Sequence, residues 1–225
     1  MARIARAVLP GAPHHITQRG NFGQTIFESA EDRQKYLEWL AENAARYGVA
    51  FWAYCLMSNH VHFVAVPRRP DSLALAFNQT HTRYAQFVNR RYMRAGHLWQ
   101  GRFLSCALDK QHACRAARYV ELNPVRAGLV PCPWEYPWSS ARHHVLKEAD
   151  PLLSGAKWFR GSVEDWRNYL AEGEDQAWGM VLRKATLAGR PLGTGRFVAR
   201  AGRLLKRDLR AQPRGRPPKK GKGAG

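Results

Sequence analysis

The sequence has little of three features: long apolar runs, cysteines and acidic residues. No apolar run approaches the roughly twenty residues that a membrane-spanning helix needs, so we expect no membrane partner. The first six residues carry two arginines and lack the apolar core of a signal peptide. The four cysteines show no Cys-x-x-Cys spacing, which indicates neither a disulfide framework nor a zinc ribbon. We therefore expect a reduced, cytoplasmic compartment.

Acidic residues are scarce, since 17 Asp and Glu stand against 36 Lys and Arg and give a net charge of +19. So few carboxylates argue against a site built from several acidic residues and two metal ions. The planar guanidinium group of arginine can hydrogen-bond to two phosphate oxygens at once. An excess of positive charge of this size therefore predicts a polyanionic binding partner. We expect that partner to be nucleic acid and the protein to be associated with the nucleoid.

The chain does have two histidines, His60 and His62, inside an apolar run rich in β-branched and aromatic residues. Successive side chains of a strand point to opposite faces, so His60 and His62 share one face. Two imidazoles on one face can form half of a metal site. The alternative is a pair of structural histidines, and the spacing alone does not decide between the two.

Hydrophobic periodicity predicts the element order β-α-β-β-α-β-α in the first part of the chain. The predicted strands and helices cover residues 14–18, 30–47, 49–59, 60–67, 72–91, 103–108 and 111–122. This order predicts an α+β fold similar to the ferredoxin-like and RRM-like sandwiches, an antiparallel sheet of about four to five strands with helices on one face. We expect Pro124 to end the helix that precedes it, because a residue before proline avoids the α conformation.

The composition predicts three parts of the chain. Residues 1–150 form the first domain, 151–210 a small helical C-terminal region, and 211–225 a disordered basic tail. The tail contains Arg214-Gly215-Arg216-Pro217, which resembles the Arg-Gly-Arg-Pro core of an AT-hook. Arg214 and Arg216 are therefore candidate DNA contacts, with a solvated tail without a defined site as the alternative.

Tyr119 and Asn123 lie four residues apart in the helix before Pro124, hence on one helical face. A tyrosine hydroxyl can act as a nucleophile when its target is polarised. A metal ion on His60 and His62 would polarise a phosphoryl oxygen, and the Asn123 amide oxygen could complete its ligand shell. The alternative for Tyr119 is a packed helix tyrosine, and the chain has other tyrosines that could fill either role.

Four segments, LPGAPHHITQRGN, YCLMSNHVHFV, GHLWQGRF and YVELNPVRAGLV, together resemble the REP-associated tyrosine transposases. These are relatives of the insertion-sequence transposases that move as single-stranded DNA, and they belong to the HUH endonucleases. The resemblance covers about residues 8–142. One departure is Ser58, which stands where relatives commonly carry proline before Asn-His; we expect it to alter the turn and spare the chemistry.

The resemblance implies that His60, His62 and Asn123 hold a divalent metal ion, magnesium or manganese, and that Tyr119 is the nucleophile. Relatives use glutamine at the position of Asn123, and two imidazoles suit manganese better than magnesium. The implied reaction is cleavage and rejoining of single-stranded DNA at repeated extragenic palindromic hairpins through a 5′-phosphotyrosine. The alternative is a non-catalytic hairpin-binding protein derived from a transposase, and either protein could be a monomer or a dimer.

Several further side chains are candidate DNA contacts. Trp99, in a loop bracketed by glycines, could stack on an unpaired base, or it could be a core tryptophan beside Phe103. Arginines near the proposed site could hold phosphates or form a solvated face. These arginines are Arg19, Arg102, Arg115, Arg118 and Arg126. The remaining histidines of this part of the chain, His14 and His15 among them, are interpreted as structural or as contacts to the DNA backbone.

Overall fold

A computed structural model of the protein describes residues 6–153, 163, 165–173 and 175–209. It contains one four-stranded antiparallel sheet with the strand order β2-β3-β1-β4. The strands are β1 (His14–Arg19), β2 (Val49–Leu56), β3 (His60–Pro67) and β4 (Leu104–Ala107). The helices are α1 (Ala30–Tyr47), α2 (Ser72–Arg91), α3 (Lys110–Glu121), α4 (Asn123–Arg126), α5 (Ala141–Leu146), α6 (Trp166–Ala171), α7 (Gln176–Ala188) and α8 (Gly195–Leu205). The α+β class and the antiparallel sheet are confirmed.

Local sequence signals explain the bounds of α1. The Ser29 side chain accepts a hydrogen bond from the Asp32 backbone N–H, and the Asp32 carboxylate accepts one from the Ser29 N–H, which is a complete capping box. Gly48 ends the helix in the left-handed conformation at φ 68°, which a glycine adopts without a side-chain clash. The predicted range of this helix, and that of α2, is confirmed.

One part of the expected architecture is wrong, because helices cover both faces of the sheet. On the first face, which we call the α1–α2 face, Ile16, Val61 and Phe63 pack with side chains from α1 and α2. On the second face, the α3 face, Val64 and Cys106 pack with side chains from α3 and α7. The physical reason is that the strands carry apolar side chains on both faces of the sheet. Both faces must therefore be shielded from water by helices.

The helix before Pro124 also differs in detail from the prediction. Helix α3 ends at Glu121, but a separate helical turn, α4, begins at Asn123. Proline is tolerated in the first turn of a helix, because its missing N–H would have no intrahelical partner there. Asn123 therefore starts a new turn directly after the helix that carries Tyr119.

A buried carboxylate fixes α3 against the elements that follow it. Glu121 is fully buried and accepts hydrogen bonds from Ser140 Oγ at 2.5 Å, His144 Nδ1 at 2.5 Å and Trp166 Nε1 at 2.7 Å. Three hydrogen-bond donors compensate the carboxylate for the loss of water around it. Without these donors, its burial would destabilise the folded state. Glu121 thereby ties α3 to α5 and α6.

The C-terminal region contains the helices α6, α7 and α8, as expected from the sequence. Helix α7 packs against β4 and β1, so this region contacts the sheet directly. The proposed boundaries at residues 150 and 210 remain predictions, and the basic tail with Arg214 and Arg216 lies outside the described residues. Within the described part of the chain, no helix is both long enough and apolar enough to cross a membrane.

Candidate functional site

The two predicted metal ligands lie on the α3 face of the sheet. His60 begins β3 and is half-buried, and His62 follows on the same face with 7% of its surface exposed. Across the sheet, β1 places Arg19 opposite His60 and Thr17 opposite His62. The two imidazole rings are nearly perpendicular, with centroids 5.1 Å apart. This arrangement confirms that the strand brings both rings to one side of the sheet.

Each of these rings uses its Nδ1 atom for a hydrogen bond within the protein. His60 Nδ1 lies 2.6 Å from Asn59 Oδ1, and His62 Nδ1 lies 3.1 Å from His15 Nε2. The Asn59 side chain is itself oriented, because its amide nitrogen donates to the Gly23 carbonyl. Neither Nε2 atom has a hydrogen-bond partner among the described residues. The two Nε2 atoms are therefore the positions at which a metal ion would be held.

Burial keeps these imidazoles neutral. Desolvation lowers the pKa of His60 to about 4, and the positive charges of Arg19 and Arg126 add to the effect. Desolvation also lowers the pKa of His62 well below its ordinary value, with smaller contributions from His15, His60 and nearby arginines. A neutral imidazole has the lone pair that a metal ligand needs, so the donor atoms fit a divalent ion.

No group of three or more His, Cys, Asp or Glu side chains with the geometry of a metal site occurs in the described ranges. A third protein ligand would therefore have to be another residue type, as Asn123 is. The Asn123 amide nitrogen donates to the Tyr119 and Val120 carbonyls, and its Oδ1 accepts from Arg126 at 2.5 Å. As a ligand, Asn123 would use the second lone pair of Oδ1, next to the Arg126 guanidinium.

Tyr119, on α3, lies beside His62 and His15. Its ring stands edge-on to His62 and to His15, with centroids 5.9 Å away in both cases. The Arg126 guanidinium lies 4.4 Å from the centre of the tyrosine ring. Tyr119 is 4% exposed, and its hydroxyl has no hydrogen-bond partner in the part of the chain that the structure describes. Tyr119 is thus buried beside His62 and His15, and its hydroxyl has no partner among the described residues.

These side chains line one cleft of about 610 Å³. His60, His62, Tyr119 and Asn123 line this cleft together with four arginines. Its arginines are Arg19, Arg102, Arg126 and Arg183. A cleft lined by several cations concentrates anions, so a phosphodiester backbone suits it electrostatically.

Three of the predicted DNA contacts have other partners. Arg115 pairs with Asp175 at 2.8 Å and Arg118 with Glu172 at 2.9 Å, so both face α6 and α7. Trp99 is 9% exposed, stacks on His81 with ring centroids 4.3 Å apart, and donates its Nε1–H to the His81 carbonyl. This is the placement of a core tryptophan, and a base could not stack on Trp99 without displacing His81.

Sequence reasoning missed four residues of the site: His15, Asn59, Arg183 and Thr186. His15 is fully enclosed by β1, β3 and α7 and was interpreted only as a structural or backbone-contacting histidine. Asn59 is next to the histidine pair, so its position in the turn was the one available signal. Arg183 and Thr186 lie on α7, far along the chain, and no local pattern connects them to β3.

Comparison with known proteins supports one family. The family described as "Transposase IS200 like" matches residues 12–123, about half of the chain, a stretch that contains His60, His62 and Tyr119. A Haemophilus influenzae protein that carries the name REP-associated tyrosine transposase is 26% identical over 110 residues. That alignment covers 44% of this chain and 62% of the relative, less than two thirds of the relative's length.

The fold has a counterpart among solved structures. The structure of a REP-associated tyrosine transposase bound to a REP hairpin matches with a TM-score of 0.56 and 16% identity. The match covers 69% of this chain and 92% of the other, and at that identity it shows a shared fold. Since the family match and the relative agree with the fold and with the histidine pair on β3, the chain belongs to the IS200-like transposases and resembles their REP-associated members.

Proposed function

We propose that this protein is a metal-dependent endonuclease and strand transferase that acts on single-stranded DNA at repeated extragenic palindromic hairpins. The observation that carries the proposal is the single cleft shared by His60, His62 and Tyr119. The two Nε2 atoms and the tyrosine hydroxyl have no hydrogen-bond partner among the described residues, and four arginines line the same cleft. The similar protein solved with a REP hairpin supports the choice of substrate.

In this proposal each residue has a distinct task. His60 and His62, with Asn123 as the third ligand, would hold a magnesium or manganese ion, which polarises the scissile phosphoryl oxygen. Arg19, Arg102 and Arg126 hold the DNA backbone in the cleft through paired hydrogen bonds to phosphate oxygens. These cations also offset the negative charge that develops on the phosphate in the transition state.

Tyr119 carries the covalent step. Its hydroxyl oxygen attacks the phosphorus, the bond from phosphorus to the 3′-oxygen breaks, and a 5′-phosphotyrosine forms. The phenol proton is lost and the departing 3′-oxygen gains one, so the step is balanced without water or an energy source. Because the phosphodiester is exchanged for another ester, a second 3′-hydroxyl can reverse the reaction and join a new strand.

A specific prediction about labelled DNA tests this function. The substrate is a synthetic single-stranded hairpin with the sequence of a repeated extragenic palindrome, incubated with the protein and Mn²⁺. A 3′-end label should become covalently attached to the protein, whereas a 5′-end label should leave on a free fragment. A chelator should abolish both products. Cleavage without an adduct would assign the attack to water and overturn the proposal.

One observation favours a second candidate, a hairpin-binding protein without catalysis. Arg126 donates a hydrogen bond to the Asn123 oxygen at 2.5 Å, and Tyr119 is only 4% exposed, which restricts access to both side chains. A non-catalytic protein would bind the same hairpin with salt-dependent affinity and form no adduct with either label at any Mn²⁺ concentration.

A further inference from the structure

We propose that His15 and Thr186 form a hydrogen-bond relay that holds His62 with its proton on Nδ1 and its Nε2 lone pair facing the cleft. The proposal rests on the proposed function in one respect, the use of His62 as a metal ligand. It assigns a positioning role to helix α7, which follows the first domain in the chain. Neither His15 nor Thr186 contacts the DNA or the metal in this account.

The relay is a continuous chain of short contacts between buried side chains. Thr186 Oγ1 lies 2.8 Å from the Leu182 carbonyl oxygen and 2.8 Å from His15 Nδ1. His15 Nε2 lies 3.1 Å from His62 Nδ1. The exposed fractions of His15, Thr186 and His62 are 1%, 1% and 7%. Water is therefore excluded as a competing partner along most of the chain.

The direction of each hydrogen bond follows from the first one. A backbone carbonyl can only accept, so the Thr186 hydroxyl donates its one proton to Leu182, and Cys106 Sγ, 3.3 Å from the same oxygen, acts as a donor to it. The same hydroxyl oxygen must then accept from His15 Nδ1, which carries the His15 proton. His15 Nε2 is left as an acceptor, so His62 must donate from Nδ1. A neutral His62 then has no proton on Nε2, and that atom can bind a metal ion.

The proton of His60 is also held on Nδ1, here by a hydrogen bond to the neighbouring residue Asn59. The Asn59 amide nitrogen donates to the Gly23 carbonyl at 3.2 Å, which turns Asn59 Oδ1 toward His60 Nδ1 at 2.6 Å. His60 must donate from Nδ1 and keep its Nε2 lone pair. The two histidines thus present the same atom to the cleft, one oriented by its neighbour in the turn and the other through α7.

The relay makes a distinct prediction for Thr186→Val, which keeps the side-chain shape and removes the hydroxyl. Without the acceptor on Thr186, His15 loses the contact that fixes its proton on Nδ1. His15 can then carry the proton on Nε2 and donate to His62, whose own proton moves to Nε2. We expect affinity for Mn²⁺ in the DNA-free protein to fall about ten- to a hundred-fold, the range typical for loss of a partner that orients a ligand.

Two further variants separate positioning from general damage. Thr186→Ser restores a hydroxyl and should restore the Mn²⁺ affinity. Thr80→Val is the matched control, since Thr80 is also a fully buried helix threonine whose Oγ1 accepts a hydrogen bond, here from Asn43 Nδ2 at 3.1 Å. It lies on the α1–α2 face, so its loss should affect stability to a similar degree and leave the affinity unchanged.

The experiment combines long-range ¹H–¹⁵N spectra of the metal-free protein with calorimetric titration of Mn²⁺. We expect His62 in the wild type, the Ser variant and the Thr80 control to show a protonated Nδ1 and a bare Nε2. The Val variant should show protonation at Nε2. A wild-type His62 with its proton on Nε2, or a Val variant with unchanged spectra and affinity, would overturn the relay. If the spectra are as expected but the wild type binds no Mn²⁺, the relay stands and the metal-dependent function fails.

Discussion

The two faces of the sheet each contain a buried tyrosine beside a histidine, and the pairs differ in what their polar atoms contact. On the α1–α2 face, the Tyr36 hydroxyl lies 3.0 Å from His81 Nε2, and the rings are nearly parallel. On the α3 face, Tyr119 stands edge-on to His62 at 5.9 Å, and its hydroxyl has no partner within the described ranges. Both tyrosines are buried, at 0% and 4% exposed, so burial does not distinguish them.

Under the proposed function, the α1–α2 face contributes stability and the α3 face carries the chemistry. On the α1–α2 face, Phe63 and the aromatic side chains of α1 and α2 close the core, and polar atoms satisfy one another inside it. On the α3 face, Asn59 contacts Nδ1 of His60 and His15 contacts Nδ1 of His62, while the Nε2 atom of each ring has no hydrogen-bond partner among the described residues. The two faces therefore differ in whether the buried tyrosine hydroxyl has a hydrogen-bond partner among the described residues.

The largest expected effect comes from the same substitution on each face. Tyr119→Phe should keep hairpin binding and reduce cleavage at least about a thousand-fold, because only the attacking oxygen is removed. Tyr36→Phe should leave cleavage unchanged and cost about 1 to 3 kcal/mol of unfolding free energy, because His81 loses its partner. Cleavage assays and urea unfolding on both variants check this, and cleavage by Tyr119→Phe at the wild-type rate would place the nucleophile elsewhere.

Neighbouring residues of β3 give the next comparison. Phe63→Ala should cost about 3 to 5 kcal/mol of unfolding free energy, since a fully buried ring leaves a cavity on the α1–α2 face. His62→Ala removes a ligand from the open cleft, so it should cost less stability and abolish Mn²⁺-dependent cleavage. Thermal melting and Mn²⁺ titration measure both effects. Equal loss of stability in the two variants would mean that the faces do not differ in this way.

Acid should reduce the stability of both faces alike. Burial lowers the pKa of His15 and of His81 to about 3, against about 6.5 in the unfolded chain. Between these values the unfolded state binds more protons, so this contribution is complete above pH 6.5 and is lost as the pH falls toward 3. From pH 6.5 to pH 5 each histidine should cost up to about 2 kcal/mol.

Urea unfolding at pH 7 and pH 5 measures that loss. The variants His15→Gln and His81→Gln should each reduce the difference by a similar amount, since burial lowers the pKa of both rings to about 3. A wild-type protein as stable at pH 5 as at pH 7 would contradict the neutral state of these histidines.

The smallest expected effect concerns arginines. Arg102 lies at the cleft and is exposed, whereas Arg83 is exposed on α2 and pairs with Glu42 at 2.8 Å. Arg102→Gln should reduce the slope of log affinity against log salt by a little under one unit, because one phosphate contact is lost. Arg83→Gln should leave the slope unchanged. The DNA affinity of both variants over a salt series decides whether the α3 face is the one that contacts the backbone.

The sequence predicted those parts of the molecule that local signals determine. The capping box at Ser29 and the left-handed Gly48 fixed α1, and alternation along β3 placed His60 and His62 on one face. The contact between His15 and Thr186 joins residues that are 171 positions apart in the sequence. Hydrophobic periodicity and capping residues are local signals, so they could not predict this contact. The second layer of helices was missed for the same reason, because an apolar strand does not specify which helix covers its other side.

The peptide that becomes attached to DNA tests the central claim most directly. The 3′-labelled hairpin adduct formed with Mn²⁺ is digested with protease and nuclease, and mass spectrometry locates the nucleotide remnant. We predict a 5′-phosphotyrosine at Tyr119 and at no other tyrosine. A remnant on another residue, or cleaved DNA with no modified peptide, would contradict the assignment of the α3 face as the catalytic face.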